Sequence, residues 1–153
     1  MKKSLINLLK KQEKIKLVES SLEVSQSYLI KAQDCLKSGK LLLKNNLFEN
    51  SISMFYYAMY DSSLSLLFRI GVKSENHSFS IFLLDNLFLR KDLFDVLNFV
   101  KKERIDKQYY VNDKTVLNYS VCEDLFFKSG DFLNEIKLIL QNLNLNKIEK
   151  IEK

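Results

Sequence analysis

The sequence predicts an all-α fold, an up-and-down bundle of four to five helices, and three observations carry that prediction. Proline is absent and glycine occurs only at Gly39, Gly71 and Gly130, so little in the chain kinks a helix or builds a hairpin turn. Apolar residues recur at three- and four-residue spacing through most of the chain, with no internal repeat and no parallel-sheet pattern. Polar breaks at Asn45-Asn46, at residues 72–77 and at residues 111–114 divide the periodic stretches into helix-sized pieces. At 153 residues the chain is the size of one domain and can bury a core without disulfides or a structural metal.

Residues 1–18 read as a basic amphipathic helix. Leu5, Leu8, Leu9, Gln12 and Ile15 form its stripe, while Lys2, Lys3, Lys10, Lys11, Lys14 and Lys16 face only Glu13. Such a helix docks on the bundle or meets something anionic. Lys10 and Lys11 cut the apolar stretch short and no small-residue cleavage site follows, so no export signal is expected and the cytoplasm is the expected location. Cys35 and Cys122 match no CxxC spacing, which fits a reducing compartment and disfavours a disulfide framework or an ordinary zinc site. The net charge of +5 is too modest to establish a nucleic-acid partner by itself.

The bundle is expected over residues 20–142. Its first helix starts near Ser20 or Ser21, whose hydroxyl suits an N-cap, buries Tyr28, Leu29, Ala32, Leu36 and Leu43, and ends at Asn45-Asn46. Gly39 interrupts it at a cost of about 1 kcal/mol relative to alanine, and a close approach by a neighbouring helix explains it better than a break. Residues 48–70 follow as an unusually aromatic helix. Ile52, Phe55, Tyr56, Met59, Ser63, Leu66 and Ile70 lie on one face, and Tyr57, Leu64 and Phe68 make much of the other apolar, so the helix must be enclosed from several sides. Gly71 is placed to close it in a left-handed conformation, and residues 72–77 read as a polar loop.

A helix then runs from about Ser78 to Leu89, and after Arg90-Lys91-Asp92 another carries Leu93, Phe94, Leu97, Val100 and Arg104 toward Tyr110. Beyond the turn at 111–114 a long helix reaches about Asn142 with Val121, Leu125, Phe132, Ile136 and Leu140 inside, and the charged residues 143–153 are expected to fray. The richest apolar runs, 62–68 and 79–89, are too short to span a bilayer, so no membrane association is expected.

Few residues advertise chemistry. His77 is the one histidine and stands where a helix begins, where it can cap the helix, take up a proton or contact a ligand. There is no Gly-rich phosphate loop, no GxSxG elbow and no spacing that suggests a metal, so no cofactor is expected. Phe55 and Tyr56 read as packing or interface residues, whereas Tyr57 and Tyr60 carry hydroxyls that need a polar partner or water.

The segment Ser51-Ile52-Ser53-Met54-Phe55-Tyr56-Tyr57-Ala58-Met59-Tyr60, followed by Leu64, Leu66-Leu67, Gly71, Lys73-Ser74 and His77, resembles the HEPN superfamily. The resemblance implies a helical bundle that usually dimerises and is often paired with a minimal nucleotidyltransferase as half of a toxin–antitoxin system. Ribonuclease members carry an arginine followed after about four to six residues by a histidine. Arg104 is in place in the matching stretch, but Tyr109 stands where the histidine belongs. A tyrosine with an unperturbed pKa near 10 is a much poorer general base at neutral pH than an imidazole near 6.5, so the usual Arg/His ribonuclease activity is not expected. Met54 also stands where related sequences often carry arginine.

Arg104 therefore either grips phosphate or pairs with an acid such as Asp106 or Glu103. The expected function is a dimeric, nucleotide- or RNA-binding partner of a nucleotidyltransferase, with Arg104, Tyr109, Tyr110, Tyr57 and His77 as candidate binding residues. A second expectation is an RNA-cleaving toxin that uses Arg104 with His77 or Tyr109. A third is a non-enzymatic helical adaptor whose basic first helix meets an acidic partner.

Overall fold

A computed structural model describes residues 3–109 and 117–143. Its elements are α1 (Lys3–Lys11), β1 (Lys16–Leu17), α2 (Leu22–Lys44), α3 (Phe48–Arg69), β2 (Val72–Lys73), α4 (His77–Phe88), α5 (Lys91–Tyr109) and α6 (Tyr119–Asn142). The predicted helical fold is observed, with five of these helices in the predicted bundle region.

Local chemistry sets most of the boundaries. The Ser21 hydroxyl accepts from the Val24 amide and starts α2, and Asn118 caps α6 in the same way through Val121. Gly71 adopts φ 71° just after α3, as its sequence position suggested. At the start of α4 the cap is Asn76, whose side chain accepts from the Phe79 amide, so His77 is the first helical residue and not the cap. Asn76 wins because its side-chain carbonyl reaches the exposed amides of the first turn while its own backbone stays extended.

α3 is the axle of the molecule, touching α2, α4, α5, α6 and β2. Phe55, Tyr56, Met59 and Leu66 from α3 are fully buried with Ile81, Leu84, Leu97, Val100 and Ile136. Gly39 lies in an unbroken α2, and a side chain there would run into Phe55, which is the close approach its position predicted. In α6 the inward face is built on Cys122, Leu125, Ser129, Phe132, Leu133 and Ile136, while Val121, expected inside, is exposed. Val121 stands in the first turn of the helix at the edge of the stripe that Cys122 and Leu125 define.

The amino-terminal segment departs most from expectation. The helix expected over residues 1–18 stops at Lys11, and Glu13 turns the chain through a left-handed φ of 55°. Ile15 remains buried, but from an extended segment whose β1 pairs antiparallel with β2, Lys16 opposite Lys73 and Leu17 opposite Val72. Val72 in the expected polar loop is accordingly buried. The apolar face of α1 docks: Ile6 and Leu9 join Ile15, Leu67, Ile70, Val72, Leu83 and Leu87 in a second cluster, whereas Leu8 of the expected stripe is exposed. The tail from residue 144 lies outside the described residues, as does the turn at 111–114. Among the described residues no helix is long and apolar enough to cross a membrane.

Candidate anion-binding site

Tyr56 and Tyr60 sit four residues apart on α3 and therefore share a face, with Tyr57 about a quarter-turn away. Their rings meet the start of α4 and the end of α5. The His77 imidazole stacks on Tyr60 with centroids 4.0 Å apart and planes 15° from parallel. Its Nδ1 lies 3.0 Å from the Tyr56 hydroxyl, a hydrogen bond whose donor depends on the imidazole tautomer. Tyr60 in turn donates to Ser80, one turn into α4, at 3.5 Å.

α5 supplies the cations. Lys101 and Arg104 are three residues apart, so they project from one side of the helix. Lys101 donates to the Ser78 hydroxyl. The Arg104 guanidinium carbon lies 5.0 Å from the ring centres of both Tyr56 and Tyr57, and its Nη2 donates to the Tyr57 hydroxyl at 3.1 Å. Of the two acids named for Arg104, Glu103 is not paired with it, since among the described residues no carboxylate bridges the guanidinium, and the Asp106 side chain lies outside them. The Arg104 Nε is buried without a hydrogen-bond partner. Two tyrosine faces orient the guanidinium by cation–π attraction without neutralising it.

The titrating groups respond accordingly. Partial burial, and then the charges of Lys101 and Arg104, hold His77 below its ordinary value, with Asp61 acting the other way and less strongly. Burial raises the phenols of Tyr56 and Tyr60 above the ordinary tyrosine value, so both stay protonated at neutral pH. The cluster thus offers two cations, neutral phenols and a neutral imidazole able to accept a proton. Among the described residues no group of three or more His, Cys, Asp or Glu side chains is arranged to hold a metal.

Of the residues singled out from sequence, Arg104, Tyr57 and His77 converge here. Tyr109 ends α5, its side chain lies outside the described residues, and so does Tyr110. Tyr56, read as packing or interface, is fully buried in the core and is also the joint of the site, since its ring carries Arg104 and its hydroxyl meets His77. Lys101 was also missed, although its three-residue spacing from Arg104 is a signal of two cations on one helix face.

Because the chain has one histidine, its ring-proton NMR signal reads this electrostatics directly. Its titration midpoint is expected below 6.5, and to rise in Lys101→Ala, where one repelling charge is gone. A midpoint at or above 6.5 in the wild type contradicts the arrangement.

A family model described as HEPN domain matches residues 25–140 of the chain. No curated protein matches it.

Proposed function

The chain belongs to the HEPN domain family, and from that premise we propose that it binds a phosphate-bearing ligand, a nucleotide or RNA, through Arg104, Tyr57 and His77. One observation carries the reading: Arg104 is oriented by Tyr56 and Tyr57 yet meets no carboxylate among the described residues. Structural arginines usually end in ion pairs, whereas an arginine stacked on aromatic rings keeps its charge for an incoming anion. Tyr57 is half-buried and offers part of a ring for a base to stack on.

In this reading the protein acts as a dimer beside a nucleotidyltransferase in a toxin–antitoxin pair, the partnership that the family resemblance implies. Fluorescence anisotropy with a labelled mononucleotide tests the ligand claim. Arg104→Ala is expected to weaken binding at least tenfold, with little recovery in Arg104→Lys, because an ammonium lacks the planar fork that both stacks and bonds. Unchanged affinity in Arg104→Ala removes the basis of the reading. Light scattering at micromolar concentration and co-purification with a nucleotidyltransferase encoded beside it test the assembly.

A second reading, RNA cleavage by Arg104 with His77, is favoured by one feature. The arginine and the histidine, 27 positions apart in the numbering, meet on the same tyrosine, Tyr56. A neutral His77 is a competent general base for a ribose hydroxyl, and Arg104 is suited to the phosphate charge. Cleavage of RNA by the wild type, lost in both His77→Ala and Arg104→Ala, supports it; intact RNA after incubation with the wild type rejects it. For the adaptor reading, deleting residues 1–16 without losing any partner removes its basis.

A further inference from the structure

A cavity of about 360 Å³ opens where the amino-terminal segment meets the start of α4. Lys14, Lys16 and Lys73 line it together with Asn76 and Phe79. The backbone places these lysines. The β1–β2 register sets Lys16 opposite Lys73, and the left-handed turn at Glu13 folds the chain back so that Lys14 follows at the rim. A non-glycine residue in that conformation is strained, a cost kept here where it brings a basic segment to a concave surface.

Two carboxylates, Glu13 and Glu75, share the lining. Glu75 bridges Lys16 at 3.2 Å and Lys73 at 3.5 Å, while among the described residues Lys14 has no ion pair. Three lysines against two acids leave the cavity positive, and Lys10 and Lys11 add charge from the last turn of α1. Phe79 is half-buried, with its ring against Phe82 at 5.4 Å.

Asn76 connects this cavity to the aromatic cluster: it lines the cavity, caps α4 and directly precedes His77, and Ser78 next to it receives Lys101. Basic groups thus follow one another from Arg104 and Lys101 past His77 to Lys14, Lys16 and Lys73.

We propose that the Lys14–Lys16–Lys73 cavity is a second phosphate subsite, so that the ligand of the whole surface is a single-stranded RNA several nucleotides long. The proposal rests on the reading of Arg104 and His77 as an anion site and adds its substrate class. Lysines neutralise successive phosphates, and Phe79 supplies a face on which a base stacks, which a peptide of acidic side chains alone has no group to use. Glu75 is the internal competitor: it occupies the two lysine heads until a phosphate displaces it. Lys14 and Lys16 lie outside the family match and Lys73 inside it, so the subsite joins the amino-terminal segment to the matched domain.

The test is anisotropy with labelled decauridylate and with a labelled mononucleotide across a salt series, on the full chain. Lys14→Glu combined with Lys73→Glu is expected to weaken decauridylate binding about tenfold or more and to lower the log–log salt slope by about 0.7 for each lost phosphate contact. Mononucleotide binding stays unchanged. Glu75→Gln is expected to tighten decauridylate binding. Far-UV circular dichroism checks the fold, and Lys14→Glu alone serves should the pair of changes disturb it. Unaltered RNA affinity and slope in these variants overturn the proposal, as does a decaglutamate peptide that displaces RNA as well as unlabelled decauridylate does. If Arg104→Ala leaves mononucleotide binding intact while the lysine variants lose RNA, the subsite stands and the Arg104 reading falls.

Discussion

Gly39→Val is expected to destabilise the protein by about 3 kcal/mol, although in an open helix the same change is mildly favourable. A Cβ at this position meets Phe55 Cε1 at 2.5 Å and Cδ1 at 2.7 Å, with Met54 Cβ at 3.2 Å. The Phe55 ring has nowhere to go, since it is fully buried and tilts against Phe126 at 5.8 Å. Close-packed interiors absorb an added methyl only by forcing side chains off their rotamers or helices apart, and valine adds three carbons. Gly130 supplies the contrast. A Cβ there meets nothing within 4 Å, so Gly130→Ala is expected to stabilise by up to about 1 kcal/mol through helix propensity. Urea unfolding of the two variants reads both signs. A Gly39→Val protein as stable as the wild type contradicts the packing of α2 on α3, and pairing Gly39→Ala with Phe55→Leu is expected to recover part of the alanine's cost.

Asp61→Asn is expected to stabilise the protein by about 1–3 kcal/mol at neutral pH, the order for taking the charge off a buried carboxylate that is only weakly paired. Its side chain is 3% exposed inside the bundle, and Oδ1 accepts from Lys31 at 3.3 Å while Oδ2 has no partner. The Lys31 head is largely in water and the pair is correspondingly weak, so it does not offset the desolvation of the carboxylate. Burial therefore raises the Asp61 pKa, and Lys31 lowers it only in part. The sign follows. A carboxyl whose pKa is higher folded than unfolded binds more protons in the native state, so its contribution is most favourable below the unfolded value, near 3.9, and is lost as pH rises through the folded value. The gap between Asp61→Asn and the wild type is thus expected to be small at acid pH and to open as pH rises, then level off. Melting temperatures measured for both proteins across that window check it; a gap that is constant with pH, or reversed at neutrality, refutes the account.

Much of the architecture was legible because helix signals are local. Ser21 and Gly71 mark boundaries through bonds to residues three positions away, and the stripe on α3 follows from side-chain spacing alone. The errors fell where two signals competed or a partner was distant. The spacing from Leu5 to Ile15 continues a helical period through residues that the structure places in a turn and in the approach to a strand, because β1 gains its partner β2 from far along the chain. A two-residue strand has too few positions to show alternation. Val121 keeps helical spacing with Leu125 and yet faces solvent, since periodicity defines a stripe but not its edges when neighbouring helices cover only part of it.

The site divides in the same way. Arg104, Tyr57 and His77 were visible as residue types at suggestive positions, and the aromatic helix with its Tyr-Tyr-Ala run placed the chain in its family. Tyr56 bonding to a histidine 21 residues away, and Arg104 bonding to a tyrosine 47 residues away, depend on how α4 and α5 pack across α3. Nothing within a helical turn of Arg104 distinguishes an arginine held by two aromatic rings from one paired with a neighbouring acid. The sequence by itself determined most of the helices, the boundaries at Ser21 and Gly71 and the family, because those rest on interactions within about four residues. The partner of Arg104, the role of Tyr56 and the joining of the amino-terminal lysines to the start of α4 were decided only by tertiary packing, which sets distances between residues that no local period relates.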